Sequence, residues 1–225
     1  MLLRTPKKRS DWVPRLLVVD LLAEREAFGK YGTAEIVRHF PEHEIFLWSP
    51  HTSERKEYGF GTVVDSPVPA DVIFITGSRR NVSEWEEWMD DVADLIRTCD
   101  VPLYGICFGH QIIVAALGGE VARAEESSQL IAPVTYEDGT VVNQLFTHQD
   151  YVINSGEMEI IASAEHCVIA ACQHPTRLIK TVQYHPEVVL SVIDYSLQCG
   201  DMNKEEREEF GNGIQDFDVT QSLIS

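Results

Sequence analysis

Positive charge is scarce in this chain. Its 18 Lys and Arg face 36 Asp and Glu, a formal net charge of −18 over 225 residues. Phosphate backbones are bound by clustered cations, so this balance argues against a nucleic-acid surface and leaves room for a basic protein partner. A short basic run, Lys7-Lys8-Arg9, sits in a polar arm before the first apolar segment and reads as a solvated tail. Long apolar runs are lacking as well. Nothing approaches the roughly 18 apolar residues of a membrane span, and the N-terminus has no apolar stretch of signal-peptide length. Cysteines are few and unpatterned: Cys99, Cys107, Cys167, Cys172 and Cys199 show no C-x-x-C spacing and no histidine placed with them as a metal-ligand set. Their number is odd, so a disulfide framework is not expected, and no metal or other cofactor is implied. Internal repeats and low-complexity segments are lacking too. What remains is a chain with 44% hydrophobic residues, enough to bury one sizeable core, expected to be cytoplasmic.

The apolar pattern alternates as an α/β protein requires. Leu16-Leu17-Val18-Val19 reads as a buried strand, 34–40 as the end of a helix, Glu44 to Trp48 as a second strand and Val72-Ile73-Phe74-Ile75 as a third. Ser83 and Glu86 have the spacing of a capping box. After them Trp85, Trp88, Met89, Val92, Leu95 and Ile96 recur at helical spacing, which makes the two tryptophans core residues. Residues 120–183 read as strands and turns, 188–197 as a last long helix, and Lys204-Glu205-Glu206-Arg207-Glu208-Glu209 as a short exposed helix in an acidic tail. The expected division is a polar basic arm at 1–14, one catalytic domain at 15–200 and the acidic tail at 201–225.

Two motifs carry the chemistry. In Gly105-Ile106-Cys107-Phe108-Gly109-His110-Gln111 an apolar segment runs straight into a cysteine flanked by glycines, and an apolar helical pattern follows. That is a strand, a sharp turn and a helix. Such a nucleophile elbow needs small neighbours and lifts the side chain at its apex above the sheet. A helix N-terminus also favours a thiolate. A thiolate needs a base and a group to orient that base, and Gln183-Tyr184-His185-Pro186-Glu187 supplies both: His185 as base, Glu187 as orienter. A second pair, His174-Pro175, has Thr176 where the orienting carboxylate would stand and precedes an apolar stretch. His174 therefore sits in a turn entering a strand, and His185 at the far end of that strand, where open α/β sheets place their sites.

Together these motifs resemble the class I glutamine amidotransferase family, with its Cys-His-Glu triad, over residues 15–199. Within the family the motif set is similar to members resembling the amidotransferase part of GMP synthase. The resemblance implies an open, mostly parallel sheet flanked by helices in a flavodoxin-like arrangement. It implies that Cys107 attacks the side-chain amide of glutamine to form a γ-glutamyl thioester. The oxyanion would be met by backbone N–H groups of Phe108 and of the loop Thr76-Gly77-Ser78-Arg79. Here the chain departs from the commoner family pattern of two glycines before a proline. Ser78 stands at the second glycine and Arg79 at the proline, so a donor survives if Ser78 keeps a negative φ. Gln111 matches the position that helps to hold glutamine, and Thr147-His148-Gln149-Asp150-Tyr151 the segment whose backbone meets its α-amino and carboxylate groups. Without the other motifs, His148 and Asp150 would read as an ordinary polar turn. His110 is expected behind the elbow in a structural role.

Three functions follow from the resemblance. The first is a glutaminase that passes ammonia to a separate acceptor-activating synthetase, since no synthetase segment follows residue 199 of this sequence. The second is a γ-glutamyl peptidase acting on γ-glutamyl amides, which a wider pocket near Gln149 and Ser78 would favour. The third is a binding or regulatory protein that keeps the fold without the activity.

Overall fold

The computed structural model describes residues 12–213 and 223–224; the Lys7-Lys8-Arg9 run and part of the acidic tail lie outside them. The chain opens with β1 (Arg15–Val19), a π-helical turn (Glu26–Tyr31) and α1 (Gly32–Val37), then β2 (Glu44–Trp48), β3 (Thr62–Val64) and β4 (Val72–Ile75). Next come α2 (Trp88–Thr98), β5 (Leu103–Ile106) and α3 (Phe108–Ala116). Four antiparallel strands follow, β6 (Glu120–Tyr136), β7 (Val141–Asn154), β8 (Glu159–Ala164) and β9 (Cys167–Gln173). The described part closes with β10 (Ile179–Val182), α4 (Leu190–Cys199) and α5 (Lys204–Gly213).

All ten strands join one sheet in the order β3-β2-β1-β4-β5-β10-β9-β8-β6-β7. The six from β3 to β10 run parallel, and β9 turns the sheet antiparallel. Alternation within β1 explains the two layers. Leu17 and Val19 face the core shared with α2 and α3, while Leu16 and Val18 face the core that includes Ile36 of α1, Phe74 and Tyr184. A strand buried on both faces has to be apolar throughout, which is why Leu16 to Val19 reads as a continuous run. Burying each such side chain contributes about 1.5–3 kcal/mol.

The antiparallel half has its own logic. β6 and β7 form a long hairpin whose turn is held by the Asp138 carboxylate accepting the Thr140 N–H at 2.8 Å. Midway the register jumps. Arg123 pairs with Asp150 but Ser128 with His148, so residues 124–127 of β6 bulge out opposite Gln149. The segment 147–150 therefore lies within a strand, not in a turn.

Register decides where chemistry can happen. Ile106 at the end of β5 pairs with Val182 at the end of β10, and Gly105 pairs with Ile75 at the end of β4. The residues after these three ends, Cys107, Gln183 to Glu187 and Thr76 to Ser78, consequently meet at one carboxyl edge of the sheet.

The C-terminal acidic helix is tied into this body. Phe210 of α5 is buried in a cluster with Val188, Val192, Ile193 and Met202, and the Arg207 guanidinium pairs with Asp194 of α4 at 2.6 Å. Tyr195 of α4 packs on Tyr31 of the π-helical turn with ring centroids 3.9 Å apart.

Candidate active site

The elbow forms because two glycines let a strand and a helix touch. A Cβ on Gly109 would stand 2.3 Å from the Ile75 carbonyl oxygen, and one on Gly105 would stand 2.7 Å from Gly109. No larger residue fits at either position. Between them Cys107 has φ 52° and ψ −105°, and it is the one non-glycine with positive φ among the described residues. A conformation of this kind costs on the order of 1–3 kcal/mol. Its surroundings hold it: the Cys107 N–H donates to the Val182 carbonyl at 2.8 Å, and the Gln111 N–H to the Cys107 carbonyl at 3.1 Å. The thiol donates to the Thr147 carbonyl at 3.8 Å.

His185 follows β10 and is fixed at both ends. Its backbone N–H donates to the Leu145 carbonyl at 2.9 Å, and its ring Nδ1 bonds the Glu187 carboxylate at 2.8 Å. With Nδ1 committed, the other ring nitrogen is left to face Cys107, which acts on the imidazole charge. Burial alone would depress the imidazole pKa. The Glu187 carboxylate and then Cys107 outweigh it, so the ring stays protonated well above the usual histidine range. The alternative pair is in a different setting: the His174 ring accepts the N–H groups of Thr176 and Arg177, both at 3.1 Å, within a turn.

The loop after β4 lies against the same pair. A Cβ on Gly77 would come within 3.0 Å of His185 Cε1 and 3.7 Å of Cys107 Cβ, so a side chain there would press on the imidazole. Ser78 is outside the left-handed region, which meets the condition for its N–H to serve as a donor. Its hydroxyl accepts the Arg80 N–H at 3.1 Å. Behind the loop, the Thr76 hydroxyl accepts the Leu21 N–H at 2.9 Å and donates to the Gly77 carbonyl at 3.0 Å. Phe108 begins α3, where backbone N–H groups have no partner inside the helix.

The residues expected to bind substrate converge on one cavity of about 480 Å³, lined by Ser78, Cys107, Phe108, Gln111, Thr147 to Asp150 and His185 among others. Their side chains divide. Gln111 is buried, and its amide nitrogen donates to the Asp150 carbonyl at 2.7 Å and to the Gln183 side chain at 3.1 Å. The Asp150 carboxylate is occupied by the Ser83 N–H at 2.7 Å and hydroxyl at 2.8 Å. Both ends of the Gln149 amide are engaged, with the Ala124 carbonyl and with Arg123. The His148 ring donates to the Asp150 carbonyl at 2.9 Å, and burial pulls its pKa down to about 4, so it is neutral at physiological pH. The side chains of this segment are thus engaged within the protein, and so is the Asp150 carbonyl. His110 lies behind the elbow, 2.8 Å from the Thr181 hydroxyl, with its pKa pulled down to about 3 by burial.

Two sequence expectations need correction. Ser83 and Glu86 do not form a capping box, because Ser83 is taken by Asp150, and α2 begins only at Trp88. Trp85 is not core. It is 43% exposed and donates its indole N–H to Asp90 at 3.0 Å. Trp88, in contrast, stacks on Phe108 with centroids 5.7 Å apart, directly behind the expected oxyanion donor. Thr76, Ser83, Trp88 and Gln183 thus support the site through partners distant in sequence, which the local motifs containing them do not reveal. Cys167 and Cys172 are free thiols pushed up to about 12 by burial. Among the described residues no three His, Cys, Asp or Glu side chains gather as a metal-ligand set, and no helix is long and apolar enough to cross a membrane.

An elbow cysteine beside a His-x-Glu pair at the carboxyl edge of a mostly parallel sheet defines a class of protein. Residues 46–198 match the class-I glutamine amidotransferase family, and the chain belongs to it. Among curated relatives, it is 38% identical over 107 residues to a glutamine-hydrolysing GMP synthase subunit of Methanocaldococcus jannaschii, a match covering 42% of this chain and 55% of the relative. The corresponding subunit of Methanosphaera stadtmanae is 34% identical over 111 residues, covering 45% of this chain and 60% of the relative. The chain thus spans little more than half the length of the curated relatives it matches. A crystal structure of a glutamine amidotransferase from Thermotoga maritima superposes with a TM-score of 0.70 at 15% identity, covering 95% of each chain, and so shares the fold.

Proposed function

We propose that the chain hydrolyses the side-chain amide of glutamine and supplies the ammonia to a separate acceptor-activating synthetase. The observation that carries this reading is the strained Cys107 beside the buried His185–Glu187 pair, with the Gly77 loop packed against both. In this reading the Cys107 sulfur attacks the amide carbon, and the oxyanion is met by the N–H groups of Phe108 and of Gly77 or Ser78. Collapse breaks the C–N bond, and His185 delivers a proton to the leaving ammonia. A water then enters, gives a proton back to His185 and releases glutamate from the γ-glutamyl thioester. Glu187 holds the imidazole in the required tautomer throughout. Gln111 shapes the γ-glutamyl site, and the backbone along His148, Gln149 and Asp150 receives the α-amino and carboxylate groups. The catalytic unit is residues 15–200.

The M. jannaschii and M. stadtmanae relatives are each named as one subunit of a glutamine-hydrolysing synthase, which supports a separate partner. The absence of a membrane-length helix among the described residues and the free cysteines support a cytoplasmic setting. A net charge of −18 supports a protein partner over a nucleic acid.

A second reading, hydrolysis of larger γ-glutamyl amides, has its own support in the cavity. About 480 Å³ with Ser78 and Gln149 in its lining is in the roughly 300–1,000 Å³ range of drug-sized ligands, and glutamine is far smaller. A non-catalytic role has no support in a site where the nucleophile, base and orienter are assembled.

The test is release of ammonia and glutamate by the purified chain and by Cys107→Ala, with glutamine and a γ-glutamyl dipeptide in parallel. Cysteine-dependent glutamate from glutamine supports the first reading, and preference for the dipeptide supports the second. Turnover that survives Cys107→Ala would sink the thioester mechanism.

A further inference from the structure

The cavity over Cys107 has two chemically different ends. One is polar and includes Gln111 and the segment 147–150, and Arg79, Arg80 and Arg123 line the cavity as well. The other is built from the π-helical turn and the segment after α4, and its lining includes Leu22, Phe28, Met202 and Phe210. This apolar end is a fixed wall. At Gly200, with φ 80°, the chain reverses out of α4, and the Asp201 and Met202 N–H groups both return to the Ser196 carbonyl. Asp201 then clamps the two walls together: its carboxylate pairs with Arg25 at 3.1 Å and accepts the Ala27 N–H at 3.3 Å, with both charged side chains about one-fifth exposed. Glu206, which also lines this end, is spent on the Asn203 N–H at 2.8 Å. Arg25, Asp201 and Glu206 thus have partners within this end, which leaves the carbon surface of Phe28, Met202 and Phe210 for a ligand.

From this we infer that the apolar end is an amine-side subsite, taking γ-glutamyl amides whose amine portion carries an aromatic or large aliphatic group. A γ-glutamyl donor has a zwitterionic α-amino-acid head, which cannot be desolvated against phenylalanine and methionine without compensating hydrogen bonds. The head therefore occupies the polar end. With its γ-carbon at Cys107, the group on the amide nitrogen extends the other way, toward Phe28 and Met202. The thioester chemistry is that of the proposed function and the substrate class that of its second reading, on which this inference rests. The C–N bond breaks, His185 protonates the amine, a Cys107 thioester forms, and water releases glutamate. What leaves is a primary amine with an apolar substituent in place of ammonia.

The experiment measures glutamate release by the full chain from glutamine, γ-glutamylmethylamide and γ-glutamylbenzylamide. The expected kcat/KM rises along this series, with the benzylamide above glutamine by about tenfold or more, the gain that burial of a phenyl group gives. In Phe28→Ala the benzylamide-to-glutamine ratio falls by a similar factor. The wild-type series decides the matter even if that variant fails to fold. Glutamate from glutamine but not preferentially from the benzylamide overturns the subsite and leaves the thioester reading standing. Glutamate from none of the three donors, with the chain folded, overturns both.

Discussion

Two buried ionisable residues at the carboxyl edge of the sheet are pushed in the same direction for opposite reasons. His185 is held protonated because Glu187, and behind it Cys107, overcome the cost of burial. Its pKa is raised above the unfolded value, so its pairing contributes fully below about 6.5 and is lost as pH rises through the folded value. Glu187→Gln removes the larger attraction. We expect kcat/KM to fall by about two orders of magnitude and its alkaline limb to move to lower pH. A pH profile of glutamate release checks both, and a limb that stays in place would show that Glu187 does not set the imidazole charge. Asp20, just after β1, is the converse. Burial pushes its carboxyl up to about 6, against the pull of the Tyr58 hydroxyl, the Leu22 N–H and the Arg55 guanidinium. Between about 4 and 6 the unfolded chain gives up this proton while the folded chain keeps it, so stability declines as pH rises through that window. Asp20→Asn removes the titration. The variant is expected to be more stable than its parent by about 1–3 kcal/mol at pH 7, with the advantage gone at pH 4. Urea denaturation at the two pH values measures this.

Among the elements, those legible in the sequence are the ones whose environment is local or uniform. β1 and β4 are apolar because they are buried on both faces, β2 because its end at Leu47 and Trp48 is buried, and the Gly105–Gly109 spacing announces the elbow because backbone contact permits no Cβ. β3 has no such signal: Thr62-Val63-Val64 is short, and Val63 is exposed at the sheet edge. The start of α2 is not legible either, because Ser83 satisfies a residue 67 positions away instead of its own helix, a choice no local pattern encodes. The helix-cap pattern that does form is at Asn203, whose side chain accepts the Glu206 N–H at 3.0 Å while Glu206 accepts the Asn203 N–H at 2.8 Å. Asn203→Ala should destabilise the chain by about 1 kcal/mol. The expected change is a fall in Tm of about 2–4 °C, read by thermal denaturation; no change would mean that α5 does not melt with the rest.

At the scale of the whole molecule, the parallel half and the meeting of Cys107 with His185 can be anticipated from sequence, and the walls of the cavity cannot. Arg123 comes from a region that reads as strands and turns and Asp201 and Met202 from the acidic tail, while Arg25 and Phe28 fall before the helix end read at 34–40, and only the folded sheet brings them over Cys107. The order of the strands has a further consequence for how such a molecule is made. β10 begins only at Ile179, yet it sits in the middle of the sheet, between β5 and β9. In synthesis from the N-terminus, the strands on either side of β10 are made before it, so the strand that joins them arrives late. His185 and Glu187 follow it directly. In the proposed reading, Cys107 is therefore synthesised long before His185 and Glu187 and stays unarmed until the seam closes, so hydrolysis would begin only in a molecule whose sheet is complete.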